Sequence, residues 1–395
     1  MAVKSRYGSL AVLAALIGAA LLPGSAAAGT AHRSPGKGHP KGHAPSRITV
    51  IPVPGAHRGE ALSLAAAPGR APAVLALLSA SVNAAAAAPA ASTATLATLP
   101  LSGRARRLTT TETITVAPYE NGQLLHGAGL DWLWNGSGLE ALSGGGTVTL
   151  ANPAVSGGVG FIDGLNGRLW LTADGVGTTS CTVTLPSACT TFSFPQQLMP
   201  FEGPGAPDAL AAAAGKLWEV SQSGVLFSMT GDGHYSGPYQ SGGGAGGSLA
   251  GDPGDALISD GRYLYAAWSL NPQSYGSGPY GAIARINPHR PDAPPKLYAS
   301  AAKLPAKADI ASLALGPDGN IWFEDRGTGA IGEFVLRRGR VTEYKLPKGY
   351  RLQSSGFQGL GIVAGPAGSR TIYFPVVGRD GRPAAARFTL TSSRS

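Results

Sequence analysis

Residues 311–347, ASLALGPDGNIWFEDRGTGAIGEFVLRRGRVTEYKLP, decide how the rest of the chain is to be read. Four runs rich in apolar, β-branched and aromatic residues, Ala311 to Leu315, Asn320 to Asp325, Ala330 to Leu336 and Arg340 to Leu346, are separated by breaks at Gly316-Pro317-Asp318-Gly319, at Arg326 to Gly329 and at Arg338-Gly339. Proline at the second turn position presets φ, and glycine after Asp318 tolerates a positive φ, so the breaks have a mechanical cause. Runs of about five to seven residues are of strand rather than helix length. The stretch is therefore a four-stranded meander, and one such unit cannot bury both of its faces alone. It predicts copies of itself elsewhere.

Working outward, its second strand recurs as glycine, a polar or basic residue, leucine or isoleucine, then an aromatic. Gly167-Arg168-Leu169-Trp170, Gly215-Lys216-Leu217-Trp218 and Gly319-Asn320-Ile321-Trp322 carry the pattern. Gly261-Arg262-Tyr263-Leu264-Tyr265 and Ser369-Arg370-Thr371-Ile372-Tyr373 are looser copies, and Asp131-Trp132-Leu133-Trp134 is a degenerate first member. The anchors at 134, 170, 218, 265, 322 and 373 are spaced 36 to 57 residues apart, which brackets the roughly 40–50 residues of one blade. The fold class is all-β, a β-propeller of six blades, or of seven if the Ala-rich stretch hides another repeat. After Tyr373 the chain supplies one more strand, about Ala385 to Leu390, while the strand near 113–117, TITVA, has no blade of its own. Pairing between these two ends is predicted to close the ring and hide its edges.

The chain has 395 residues with 58 Gly, 31 Pro and 13% charged residues, a turn-rich composition suited to many short strands. Of 31 Lys and Arg, 11 lie in residues 1–108 together with a single acid, Glu60; residues 109–395 hold 20 bases and 21 acids. The folded part is thus close to neutral, and no nucleic-acid partner is expected for it. Residues 1–28 read as a secretory signal peptide: Lys4 and Arg6, an apolar run from Leu10 to Leu22, then a small-residue exit at Ser25-Ala26-Ala27-Ala28. Cleavage leaves a secreted, periplasmic or cell-surface protein with no transmembrane span, and retention of the segment as an anchor is the alternative. Residues 29–108 read as a basic, Ala- and Pro-rich linker, with Ile48 to Val53 a candidate strand and Val74 to Ala88 a candidate helix. His32, His39, His43 and His57 in it are either a metal tract or solvated linker. The propeller domain occupies 109–395, expected to be monomeric.

Cys181 and Cys189, eight positions apart around Leu185-Pro186, read as a hairpin disulfide in an oxidising compartment. Two thiols alone are too few for a metal site, and the spacing differs from the usual redox pair.

GPDGNIWFED, AIGEF and GRVTEYKLP, taken in order, resemble the repeat of the virginiamycin B lyase (streptogramin lyase) family, whose architecture is shared with NHL-type propellers. One blade matches closely and the others loosely. The resemblance implies a carbon–oxygen lyase that opens an ester-linked antibiotic ring by elimination, with a histidine base and a magnesium ion near the central channel. The family's histidine position carries over to Val159, Asp208, Asp255, Ala311 and Leu360, none of which is histidine. Its glutamate carries over to Asp325, and the same slot elsewhere holds Ala173, Ser221, Trp268 and Val376.

Starts of inner strands, hairpins between second and third strands, and connections between blades share one face of a propeller, around the channel mouth. Asp208, Asp255, Glu324 and Asp325 map there as candidate catalytic residues, and Asp208, Asp255 and Asp325 as ligands for a divalent cation, magnesium or calcium. The alternative is that they cap strand ends or pair with Arg262, Arg285 or Arg326. Two Gly-rich insertions, 235–254 and 271–280, bring Tyr235, Tyr239, Tyr275 and Tyr280 as candidate ligand-binding residues, or serve as spacers. Three functions remain open: a noncatalytic binder of a small molecule, glycan or protein ligand, a lyase with a rebuilt site, and a wall-associated protein led by its basic arm.

Overall fold

The computed structural model describes residues 48–67, 73–80, 92–100, 109–116, 123–127, 130–134, 139–142, 161–162, 165–173, 177–183, 188–193, 207–221, 226–239, 256–269, 281–298, 304–305, 307–353, 361–365 and 369–390. Their regular structure is strand throughout. β1 (Ile48–Pro52) comes first. β2 (Glu60–Ala67), β3 (Ala73–Ala80), β4 (Ser92–Pro100) and β5 (Thr109–Val116) form sheet I; β6 (Gln123–Gly127), β7 (Leu130–Trp134) and β8 (Leu139–Ala141) form sheet II. β9 (Phe161–Ile162), β10 (Arg168–Ala173), β11 (Gly177–Thr182) and β12 (Cys189–Ser193) make sheet III, and β13 (Pro207–Ala213), β14 (Lys216–Ser221), β15 (Leu226–Met229) and β16 (Tyr235–Tyr239) make sheet IV. Sheet V holds β17 (Leu257–Ser259), β18 (Leu264–Ser269), β19 (Gly281–Ile286) and β20 (Lys296–Tyr298); sheet VI holds β21 (Ile310–Leu315), β22 (Ile321–Asp325), β23 (Ala330–Val335) and β24 (Arg340–Lys345). Sheet VII consists of β25 (Tyr350–Leu352), β26 (Val363–Ala364), β27 (Thr371–Gly378) and β28 (Pro383–Thr389), with β1 added at its outer edge. The inner strands β2, β6, β9, β13, β17, β21 and β26 touch in chain order, and β26 touches β2, so the row closes on itself. Among the described residues no helix is long and apolar enough to cross a membrane.

The four strands expected from 311–347 form as sheet VI, with ends within a residue or so of the expected ones. The repeated aromatics explain why. Trp170, Trp218, Tyr265, Trp322 and Tyr373 all stand on the second strand of their sheets and are buried; on β7 the buried tryptophan is Trp132, and the side chain of the expected anchor, Trp134, lies outside the described residues. Four reach back to the turn just before their own strand. Trp170 Nε1 donates to the Leu165 carbonyl at 3.1 Å, Trp218 Nε1 to Ala213 at 3.0 Å, Trp322 Nε1 to Asp318 Oδ1 at 3.2 Å, and the Tyr265 hydroxyl to Asp260 Oδ2 at 3.0 Å. One side chain thus fills the space between sheets and pins the preceding turn, satisfying its polar atom on burial.

Alternation along each strand distributes these contacts to two neighbours. On β22, Ile321 and Phe323 pack toward sheet V with Tyr265, Ile283 and Tyr298, whereas Trp322 faces sheet VII with Ile372, Phe374 and Phe388. Gly332 on β23 makes room for this: a Cβ there would lie 2.0 Å from Phe323 Cζ.

The ends of the chain close the ring differently from the expectation. The strand that completes sheet VII is β1, in register Ile48↔Phe388 to Pro52↔Ala384, not the strand near 113–117, which belongs to β5 and pairs with β4. The principle of closure holds, but the expected partner is already occupied within sheet I. Sheet I itself lies largely in the stretch expected to be linker. Val74 to Ala80, expected to begin a helix, is strand β3 paired on both sides. A second lock joins the ends: the Gln353 amide accepts from Leu62 N at 2.9 Å and donates to Leu62 O at 3.1 Å, imitating a backbone ladder between sheets VII and I.

Candidate functional site

Glu324 and Asp325, adjacent in sequence, end β22 and are both buried. Successive strand residues point to opposite faces, so the two carboxyls enter different interfaces. Asp325 lies on the sheet V side, where its Oδ1 accepts the amides of Asp309 at 2.8 Å and Thr328 at 3.2 Å. It holds the connection into β21 and the β22–β23 hairpin together. Glu343 on outer strand β24 faces it, and burial first, then the neighbouring Asp325 carboxyl, push Glu343 up to about 7.

Glu324 points toward sheet VII. Burial raises it to about 8, against the opposing effects of a Ser312 hydrogen bond and the Arg326 charge, so it keeps its proton at neutral pH. Ser312 Oγ also accepts the Ile362 amide at 3.3 Å, and a Cβ on Gly361 would come within 2.4 Å of that oxygen, so backbone lies tightly against the site. Glu324 Oε1 has no hydrogen-bond partner among the described residues. The inner strand of sheet VII is interrupted beside it, β25 pairing with the far end of β27 and β26 with its beginning.

A third enclosed carboxyl, absent from the sequence candidates, is Glu219 on β14. Burial lifts it to about 8, with Thr178 and Tyr235 opposing; Thr178 Oγ1 donates to its Oε1 at 2.8 Å across the interface with sheet III. The signal was present in the sequence, since Glu219 follows anchor Trp218 where sheet VI carries apolar Phe323.

The remaining candidates separate. Asp208 sits at a bulge in β13, where the register with β14 shifts between Pro207 and Ala209. Asp255, Tyr275 and Tyr280 lie outside the described residues, as does the side chain of Asp208. Tyr235 and Tyr239 do not cover the channel mouth: they begin and end β16, the outermost strand of sheet IV. Tyr239 packs on Trp218 with centroids 5.5 Å apart and bonds Ser228 Oγ at 2.9 Å, while the Tyr235 hydroxyl donates to Phe192 O at 3.4 Å. Strand pairing captured the residues expected to be loop. Arg262 and Arg285, offered as partners for the carboxylates, lie over the Tyr263 ring at 5.1 and 4.5 Å. Cys181 and Cys189 face each other in register across β11 and β12 and are joined as a disulfide. Among the described residues no three His, Cys, Asp or Glu come together in a way that fits a metal ion.

No protein-family model matches the sequence, and no curated protein sequence matches it. Solved structures do match in fold. A streptogramin B lyase structure superposes with a TM-score of 0.57 at 16% identity, covering 87% of this chain and 98% of that one. A catalytically inactive virginiamycin B lyase from Staphylococcus aureus with quinupristin gives 0.54 at 13% identity, covering 87% and 99%. YCF48 bound to D1 peptide gives 0.54 at 12% identity, covering 88% and 97%. The fold is that of the β-propellers, as the blade motif implied.

Proposed function

We propose that this chain is an exported propeller that binds a small molecule, glycan or protein ligand over its channel-mouth face, with no catalytic activity assigned to it. The observation that carries the reading is the division of its enclosed carboxyls. Glu219 turns toward sheet III, Glu324 toward sheet VII and Asp325 toward sheet V. An elimination needs a base, and an acid or cation, within reach of one substrate. These groups instead pin turns and fill interfaces between sheets. Two of the similar folds were solved with a bound molecule, quinupristin in one and D1 peptide in the other, which agrees with a binding role. Export rests on residues 1–28 and is checked by sequencing the N-terminus of the mature protein.

A second reading, a lyase of the streptogramin type assisted by magnesium or calcium, is favoured by one feature: Glu324 holds a proton at neutral pH and has an oxygen without a described partner. One experiment separates the two. The purified protein is incubated with cyclic esters, with and without magnesium or calcium, and compared with Glu324→Gln. No turnover under any condition supports the binder; metal-dependent turnover lost in the variant establishes the lyase.

A further inference from the structure

The connection from β1 to β2, the connection from β24 to β25 and the β27–β28 hairpin come together at one end of sheet VII. By the repeat of the fold this is the end at which Asp325 leads into its own hairpin, the channel-mouth face. Two adjoining open clefts of about 730 and 470 Å³ lie between these segments and share Gly349, Tyr350, Gly378 and Arg379. Arg58, Lys348, Arg351, Arg379 and Arg382 line them, all exposed, with Asp380 as the only acid in either lining. Asp380 Oδ2 lies 3.7 Å from Arg382 Nε. Among the described residues no ion-pair partner is seen for the other four cations. This excess stands out because residues 48–395 as a whole hold 25 bases and 22 acids.

The clefts are built rather than draped. Gly59 N donates to Gly381 O at 3.2 Å, Gly378 N to Arg382 O at 2.9 Å and Gly381 N to Gly378 O at 2.9 Å, tying the β1–β2 connection to the hairpin. One glycine serves as a slot for an arginine stem. A Cβ at Gly381 would meet Arg58 Cγ at 2.8 Å, whereas one at Gly349 would make only ordinary contact with Arg379, Nε lying 3.4 Å away. The Arg58 guanidinium is therefore carried on a stem laid against fixed backbone, which lowers the ordering cost of binding.

We propose that this seam groove docks an acidic polypeptide segment, whose carboxylates are gripped by Arg58, Arg351 and Arg379. Four of the five cations are arginine, whose planar fork matches a carboxylate with two parallel hydrogen bonds. Two adjoining open clefts suit an extended chain better than a small ligand, which is ordinarily enclosed. A sugar polymer would call for aromatic platforms, and the groove offers one, Tyr350 at 36% exposure. This assignment rests on the binding reading above and names its partner class.

The test is fluorescence anisotropy of a labelled poly-glutamate peptide titrated with the full chain at near-physiological salt. It compares wild type, an Arg58→Gln/Arg379→Gln double variant, and Arg338→Gln in the β23–β24 turn at the other end of the sheets. The double variant should bind roughly tenfold more weakly or worse, two charge-assisted contacts being lost, while Arg338→Gln binds as wild type. Equal binding by the double variant would assign the attraction to the basic residues 1–47 and overturn the groove, leaving binding elsewhere on the face intact. Preference for polyphosphate or an acidic glycan over the peptide would overturn the partner class. Turnover of a cyclic ester would instead sink the underlying binding reading, and the proposal with it.

Discussion

Sheet VI and sheet I are neighbours of sheet VII on its two sides, yet they are written in different alphabets. Sheet VI spells out every turn with glycine, proline or aspartate and buries Trp322, Phe323 and Phe334. Sheet I is built from EALSLAAA, AVLALLSA and STATLATLP, with alanine, leucine and threonine throughout. The difference teaches that a blade needs an anchor only where its neighbours leave a deep space to fill. In β2 the run Ala61 to Leu64 is buried on both faces, among Ile51 and Tyr373 on one side and sheet II on the other.

The sharpest way to break the comparison is at the strand both regions depend on. A chain shortened to begin after Pro52 loses β1 and its whole ladder with β28, along with buried Ile51. It leaves an open edge on sheet VII, which invites pairing with other chains. Such a protein should aggregate or fail to give a cooperative melt. A chain shortened to begin at Ser46 should melt as the full chain does, by circular dichroism and size-exclusion chromatography.

Next in size is the anchor itself. Trp322 stacks on Tyr344 at 5.7 Å and tilts against Phe388 at 4.8 Å, and its indole holds the Asp318 turn. Trp322→Ala should cost about 3–5 kcal/mol, read by denaturant unfolding. In sheet I no single described side chain does as much: Leu62→Ala, at a site shared with Ile51, Val53, Leu64 and Tyr373, should cost about 2–5 kcal/mol with no turn lost. Equal losses at the two sites would show that anchors carry no special weight.

Gln353 comes third, because it ties sheet I to sheet VII. Gln353→Leu leaves both the amide and the carbonyl of buried Leu62 without their partner, which should cost about 2–4 kcal/mol. Hydrogen exchange should rise first in β2 rather than in sheet VI, since the bonds join sheet I to sheet VII and do not involve sheet VI.

These contrasts explain what the sequence made legible. Turn chemistry and a recurring aromatic are local, so sheet VI and the anchors of sheets III to VII were readable from residues alone. Closure was readable as a need, since a blade edge calls for a pairing strand, but the choice between Ile48 to Pro52 and Thr113 to Ala117 depends on sheet I. There alanine hid the two-residue period, because it fits a buried or an exposed position equally and is a strong helix former. The candidate site was harder still. Glu324 and Asp325 are neighbours on paper and lie back to back in space, a consequence of strand alternation that spacing announces only once the strand's faces are assigned. The basic groove gathers Arg58 and Arg379 from segments 321 positions apart, which no local pattern can join.

The smallest expected effect concerns charge, and it also divides the molecule. Sheet I buries only Ser63 among its described polar side chains, whereas sheets IV and VI enclose Glu219 and Glu324, each raised to about 8 by burial. A carboxyl whose folded value lies above its unfolded one binds its proton more tightly when folded. It therefore adds stability that is fully present below about 4.5 and is lost as the pH rises through about 8. Each should contribute a slope of about 1 kcal/mol per pH unit within that window. Glu219→Gln and Glu324→Gln keep shape and hydrogen-bonding capacity without a titrating proton, so each should flatten the decline seen in wild type between pH 5 and 8. The double variant should be more stable than wild type at the alkaline end and little changed at the acidic end. A wild-type melting temperature that climbs steadily over that range would mean that these carboxyls are ionised in the fold, and that cationic partners hold them.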